Sequence, residues 1–317
     1  MGRPVVPDGS SDLLSVLFGH YPDAAILTRP ETPHLVVDGQ RMISQQTIPG
    51  VDIRSRESTD AITIQITIEH GVKVESPIHT CIGLLKPHGS QHIRLQIKLE
   101  AQASAHIIAH CLFPNAEKVR HVMEAEVDIG EGAELRHSEG HYHGPYGGIE
   151  VIPQAQVRVG PHGRYLSDFS LTSGRVGQLC IDYRITVEEH GVAEITTRVY
   201  GHGTDQIEIK DELVLEREGA RGLIKSRVAV EDDASSTVIG VAQGNAAGVR
   251  GHMDCKEIVR DRAVASAEPI VRVEHPEAMI THEAAVGTVD QRQLETLMAH
   301  GLTPEEAVDV VISGLLR

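Results

Sequence analysis

One cysteine, Cys255, stands in the stretch GHMDCKEIV (residues 251–259), and a His-Glu pair, His282-Glu283, follows in ITHEAAVG (residues 280–287). Thiolate, imidazole and carboxylate brought together by folding make a donor set for a soft or borderline metal. The same three groups also suit a nucleophile with its base, or plain interior packing, since a free cysteine in a strand behaves as a small hydrophobe. His282 and Glu283 are neighbours, so in a strand they point to opposite faces and only one can join Cys255. For Glu283 the plain alternative is to cap a solenoid turn or to pair with Arg272.

A second group lies in RHSEGHYHG, where His137, Glu139, His141 and His143 alternate. H-x-H spacing puts two imidazoles on one strand face, a weaker candidate metal site. The preferred reading is a solvated His-rich turn. His106, His110 and Cys111 in AHIIAHC read as packing residues, and Cys81 and Cys180 as interior. The four cysteines form no CxxC pair. A zinc ribbon and a secreted disulfide framework are thereby excluded.

The elements that must position these groups are β-strands. Aromatic residues make up 3% of the 317-residue chain and Trp is absent, so the core is built from Val, Ile, Leu and Ala. The phrases VDIGEGAELRHSEG, VRVGPHGRYLSDFS, ITVEEHGVAEITTRVYG and LVLEREGARGLIKSRVAV repeat one pattern of strand, turn and strand. Aligning Gly132, Gly163, Gly191 and Gly219 gives spacings of 31, 28 and 28, with Gly248 a further 29 on. Ala103 and Gly71 continue the series backwards. The glycines are expected to supply positive φ at the corners. A repeat of this length without a helix rules out a βαβ sheet and predicts a β-solenoid; a β-sandwich of regular hairpins is the alternative.

Three segments follow: residues 1–30 with a short helix near 11–19, a β-helix core over 31–287, and a helical segment over 288–317. In the last, Asp290 caps a helix running to Ala299, with Gln293 closing a capping box and Gly301 ending it. Thr303-Pro304-Glu305-Glu306 opens a second helix whose apolar stripe is Ala307, Val308, Val311 and Leu315. Such short helices must pack on the solenoid or on a partner.

The formal net charge of −16 disfavours nucleic-acid binding. No apolar run is long enough to cross a bilayer, and the N-terminus lacks the pattern of a signal peptide, so the expectation is a soluble cytoplasmic protein without membrane or nucleic-acid partners.

The strand with Asp254-Cys255, the phrase THEAAVG (281–287) and the tail DQRQLETLMAHGLTPEEAVDVVISGLL together resemble the SufB/SufD family of iron–sulfur cluster assembly proteins. The resemblance covers about the last 70 residues, and the repeat before them agrees with the family's core. It implies a right-handed parallel β-helix, pairing of two chains through the β-helix ends, and C-terminal helices that dock a SufC-type ABC ATPase. This chain has no Walker A motif, so ATP hydrolysis falls to that partner. Cys255 matches the scaffold cysteine of SufB, Glu283 the SufB glutamate and His282 the SufD histidine. A chain carrying all three is expected to serve as both halves of a homodimer. On this reading Cys255, His282 and Glu283 hold a transient iron–sulfur cluster, and the protein is not an enzyme; whether a flavin takes part is not written in the residues. Two other functions compete with this one. An interaction scaffold that carries no cluster has less use for both Cys255 and Glu283. A carbohydrate-acting β-helix enzyme would need the aromatic platforms that this composition lacks.

Overall fold

Alternating in-and-out strands organise the computed structural model, which describes residues 32–317. The helix expected over residues 11–19 lies outside the described residues. The described residues begin with two hairpins, β1 (His34–Asp38) with β2 (Arg41–Gln46), and β3 (Val51–Glu57) with β4 (Ile62–Ile68). From there successive strands alternate between two sheets. One receives β5 (Ile78–Gly83), β7 (Ser104–Phe113), β9 (Glu134–His143) and β11 (Arg164–Leu171), then β13 (Val192–Gly201), β15 (Arg221–Val230), β17 (Arg250–Val259) and β19 (Met279–Gly287). The other receives β6 (His88–Leu99), β8 (Lys118–Ile129), β10 (Ile149–Val159) and β12 (Gly177–Val187), then β14 (Gln206–Leu215), β16 (Ser235–Gly244) and β18 (Val264–Val273).

Among the described residues, antiparallel pairing is confined to the two initial hairpins and an isolated bridge between Ile48 and Val51; every later pair is parallel. A sandwich of hairpins would give the reverse, so the architecture is a β-solenoid of about eight turns. Its interior is a stack of aliphatic columns. Val157, Ile185 and Leu213 occupy equivalent register positions on β10, β12 and β14, and each is buried.

The corners correct one detail of the repeat. The left-handed residue is Gly132, Gly219 or Gly248 in some coils, but Gln102, His162 and His190 in others. Gly163 and Gly191 therefore sit one residue past the corner. Stacking explains how the non-glycine residues are held there. The N–H groups of Gln102, Gly132, His162, His190 and Gly219 each donate to a carbonyl of the next coil's turn, at 2.8–3.1 Å. Each turn is thus fixed by its neighbour rather than by its own residue type.

Helix α1 (Gln291–Ala299) is capped by Asp290, whose carboxylate accepts from the Gln293 backbone N–H at 2.9 Å. A complete reciprocal capping box is present at α2 (Pro304–Leu315), between Thr303 and Glu306. Ala307 and Ile312 of α2 are buried, so Ile312 joins the predicted stripe. The helix lies against β15, and Arg198 on β13 donates to the carbonyl of Arg317 at 3.1 Å. It packs on the flank of the solenoid, against the strands of earlier coils. No helix among the described residues is long and apolar enough to cross a membrane.

Candidate functional site

Strand β17 reads RGHMDCKEIV, and its alternation turns Gly251, Met253, Cys255 and Glu257 inward, with His252, Asp254 and Lys256 outward. Parallel pairing to β19 sets Met253 beside His282, Asp254 beside Glu283 and Cys255 beside Ala284. His282 therefore shares the inner face with Cys255, and Glu283 takes the outer face. There Lys256 Nζ lies 3.9 Å from Glu283 Oε1 and 4.0 Å from Asp254 Oδ1. The expected pairing partner Arg272 is replaced by Lys256 because in-register strands bring outward residues together.

β19 and β18 are the terminal strands of their sheets. Val271 and Val273 on β18, and Val286 on β19, have inward parity yet are 39%, 50% and 46% exposed, because among the described residues no further coil covers them. The open end is thus an apolar face with two unpaired strand edges, and Cys255 lies one strand beneath it.

The polar surroundings of Cys255 were not evident from the sequence. Its thiol donates towards Glu257 Oε1 at 3.9 Å, and Ser236 Oγ donates to Glu257 Oε2 at 2.6 Å. Burial, with the Glu257 charge second, pushes the thiol up to about 12. Burial likewise lifts the Glu257 carboxyl to about 7, and Asp211, deeper inside, to about 7. Arg227 is buried, forms an ion pair with Asp254, and donates to the carbonyls of Ser226 and Asp254 at 2.9 Å each. It supplies a positive charge that partly offsets the carboxylates around the thiol. The crevice at Cys255, lined by Ser226, Met253, Asp254, Glu268, Pro269 and also Glu283, holds about 20 Å³. That is room for one water molecule. Glu257 and Asp211 were legible only as inward positions of alternating strands, two residues from Cys255 in one case and across the sheets in the other.

The His-rich stretch is not a solvated turn. It forms β9, and its alternation directs His137, Glu139, His141 and His143 into the interior, each less than 10% exposed. His141 Nε2 lies 2.8 Å from Glu139 Oε1, and its Nδ1 lies 3.2 Å from His143 Nε2. Cys111, in register with His141 on the neighbouring β7, directs its thiol to Glu139 Oε1 at 3.8 Å. Burial alone would raise Glu139, but the His141 hydrogen bond and the imidazoles of His137 and His121 pull its carboxyl below the usual range. His137 is instead held below its usual value by burial. The polar composition of this stretch suggested solvent; its period of two was the signal for the opposite reading. Cys81 is buried as expected, whereas Cys180 has outward parity on β12 and is half-buried.

Residues 84–315 match the SUF system FeS cluster assembly SufBD core domain. The chain is similar to an iron–sulfur cluster assembly SufBD family protein of Methanocaldococcus jannaschii, at 37% identity over 284 residues and 90% of each chain. A SufBD family protein of Pyrococcus horikoshii is 32% identical over 282 residues, covering 89% of this chain and 86% of that one. The iron–sulfur cluster assembly protein SufD of Bacillus subtilis is 28% identical over 141 residues, covering 39% of this chain and 32% of that one. With that domain matched over most of its coils and relatives of 32% and 37% identity along nearly its whole length, the chain belongs to the SufBD family of iron–sulfur cluster assembly proteins.

Proposed function

We propose that the chain is the scaffold on which an iron–sulfur cluster is assembled as cargo and then passed on. It acts as a pair of identical copies, with a SufC-type ABC ATPase docked on α1 and α2. The observation that carries this reading is the shared inner face of Cys255 and His282 beneath an uncovered apolar coil. Thiolate is a strong iron ligand and imidazole a weaker, exchangeable one, which suits a cluster that must leave. At rest the thiol keeps its proton, so it becomes a ligand only when iron displaces that proton, and Glu257 is placed to accept it. A crevice with room for one water cannot enclose a cluster within one chain. Two copies meeting at their open ends would supply the second set of ligands and cover the exposed valines.

Docking of the ATPase is supported by the groove between α1 and α2, lined by Arg292, Gln293, Thr296, Leu297 and Val311, with Met298 and Val310 exposed beside it. The chain's own role is to hold and position; ATP hydrolysis belongs to the partner. A second reading, an interaction scaffold without a cluster, draws on the protonated, half-buried state of Cys255, which plain packing would also produce. Anaerobic reconstitution with iron and sulfide, read by absorption and Mössbauer spectra, separates the two. A cluster in the wild type that is lost in Cys255→Ser supports the cluster scaffold. A wild type that binds none, even with the ATPase present, leaves the interaction scaffold.

A further inference from the structure

The interior cluster on β7, β8 and β9 is separate from the open end. Cys111 lies five strands from Cys255 within the same sheet, roughly 24 Å away at the usual strand spacing. We infer that Cys111, Glu139 and His141 form a buried site for a single borderline divalent cation of the zinc class, with His121 as a further ligand from the facing sheet. This inference does not depend on the cluster-scaffold reading.

Three different donors converge there. Cys111 Sγ, a Glu139 carboxylate oxygen and a His141 ring nitrogen all lie within 4.8 Å of one another, and all three residues are buried. A thiol, an imidazole and a carboxylate form a mixed S, N and O set, which zinc and its neighbours accept; calcium and magnesium take oxygen ligands. The spacing is close to what coordination needs. Metal bonds of ~2.0–2.3 Å in a tetrahedron separate their ligand atoms by roughly 3.3–3.8 Å. The two contacts to Glu139 Oε1 are 2.8 Å from His141 and 3.8 Å from Cys111, so the first must open by a few tenths of an ångström, while the third edge, from Cys111 to His141, lies within 4.8 Å. A 2+ ion would balance one thiolate and one carboxylate, leaving no net charge in an apolar interior.

The groups behind the ligands also fit. The second ring nitrogen of His141 is held by His143 at 3.2 Å, the outer hydrogen bond that fixes the tautomer and orientation of a ligating imidazole. Phe113 and Phe169 pack around the His141 ring, at 6.4 and 4.9 Å between centroids. The independent observation is His121. It enters from β8 on the opposite sheet, is fully buried, and has no hydrogen-bond partner among the described residues for either ring nitrogen. Its ring centroid lies 6.3 Å from that of His141. Buried imidazole nitrogens are ordinarily paired, and a metal facing this ring would give one of them its partner. All four candidate ligands stand on strands of stacked coils, so the cation would bridge the two sheets from inside and exchange slowly.

The test uses Co²⁺, whose d–d and thiolate charge-transfer bands report geometry and a bound sulfur. The full chain is expressed in medium supplemented with Co²⁺, so that it folds around the ion, then purified and measured for cobalt content and absorption. The expected result is one cobalt per chain with a thiolate band that survives Cys255→Ser and disappears in Cys111→Ser. Glu139→Gln and His141→Gln, checked for folding by circular dichroism, should each lose most of the cobalt, and they keep the test decisive if Cys111→Ser does not fold. Folded wild type without cobalt would overturn the assignment. So would a thiolate band that persists in Cys111→Ser or vanishes in Cys255→Ser.

Discussion

At the scale of residues, the adjacency of His282 and Glu283 and the parity of strands decide which of them accompanies Cys255. His282 shares the inner face; Glu283 stands outside beside Lys256. His282→Ala is therefore expected to alter the Mössbauer spectrum of a reconstituted cluster more than Glu283→Ala does, since Glu283 lines the crevice from the outer face; equal effects would contradict the facial assignment. The buried carboxyls carry a pH signature of their own. Glu257 and Asp211 both have folded values raised to about 7, so each binds its proton more tightly in the folded chain. Their favourable share of stability is complete below the ordinary carboxylate range and is lost as pH rises through about 7. Asp211→Asn should thus gain stability relative to wild type on going from about pH 5 to about pH 8, measured as the difference in urea midpoints. A difference that does not change with pH would mean that Asp211 ionises normally. The candidate residues Cys255, His282 and Glu283 were legible as residue types. Their mutual arrangement was not, because it depends on a register between β17 and β19 that only folding supplies.

At the scale of elements, the repeats and both C-terminal helices could be read from periodicity and caps, since those signals are local. Where the reading slipped, a neighbouring coil had intervened. The corners at His162 and His190 tolerate a left-handed residue because stacked turns hold them, so glycine alone was a misleading guide to the repeat. Burial of β9 was missed because its inward residues are polar and find partners on β7. One corner does require glycine. Gly174 has φ +80°, and a Cβ there would stand 1.8 Å from the His143 carbonyl oxygen, a backbone atom that cannot give way. Gly174→Ala is expected to cost on the order of 2 kcal/mol or more in urea unfolding, the left-handed penalty plus displacement of the stacked coil. A loss below about half that would show that the coils slide freely. On the helices, Leu297→Asp in the groove between α1 and α2 should abolish ATPase binding in a titration while the unfolding midpoint stays within error. Unchanged binding would move the docking surface elsewhere.

For the whole molecule, a solenoid buries its inner face by stacking, and the first coil that lacks a neighbour exposes it. Here the exposed face belongs to β18 and β19, directly over Cys255, and the proposed pairing of two copies and access to the thiol would both follow from that one feature. Replacing Val273 and Val286 together with Glu places charge on that face without touching Cys255 or His282. The decisive measurement is iron and sulfide content with the Mössbauer spectrum after anaerobic reconstitution, on sedimentation-defined wild type and on this double variant. The expected result is a dimeric wild type that carries a cluster and a folded monomeric variant that carries none. A monomeric variant that retains a full cluster would contradict it, since the ligands would then come from one chain alone.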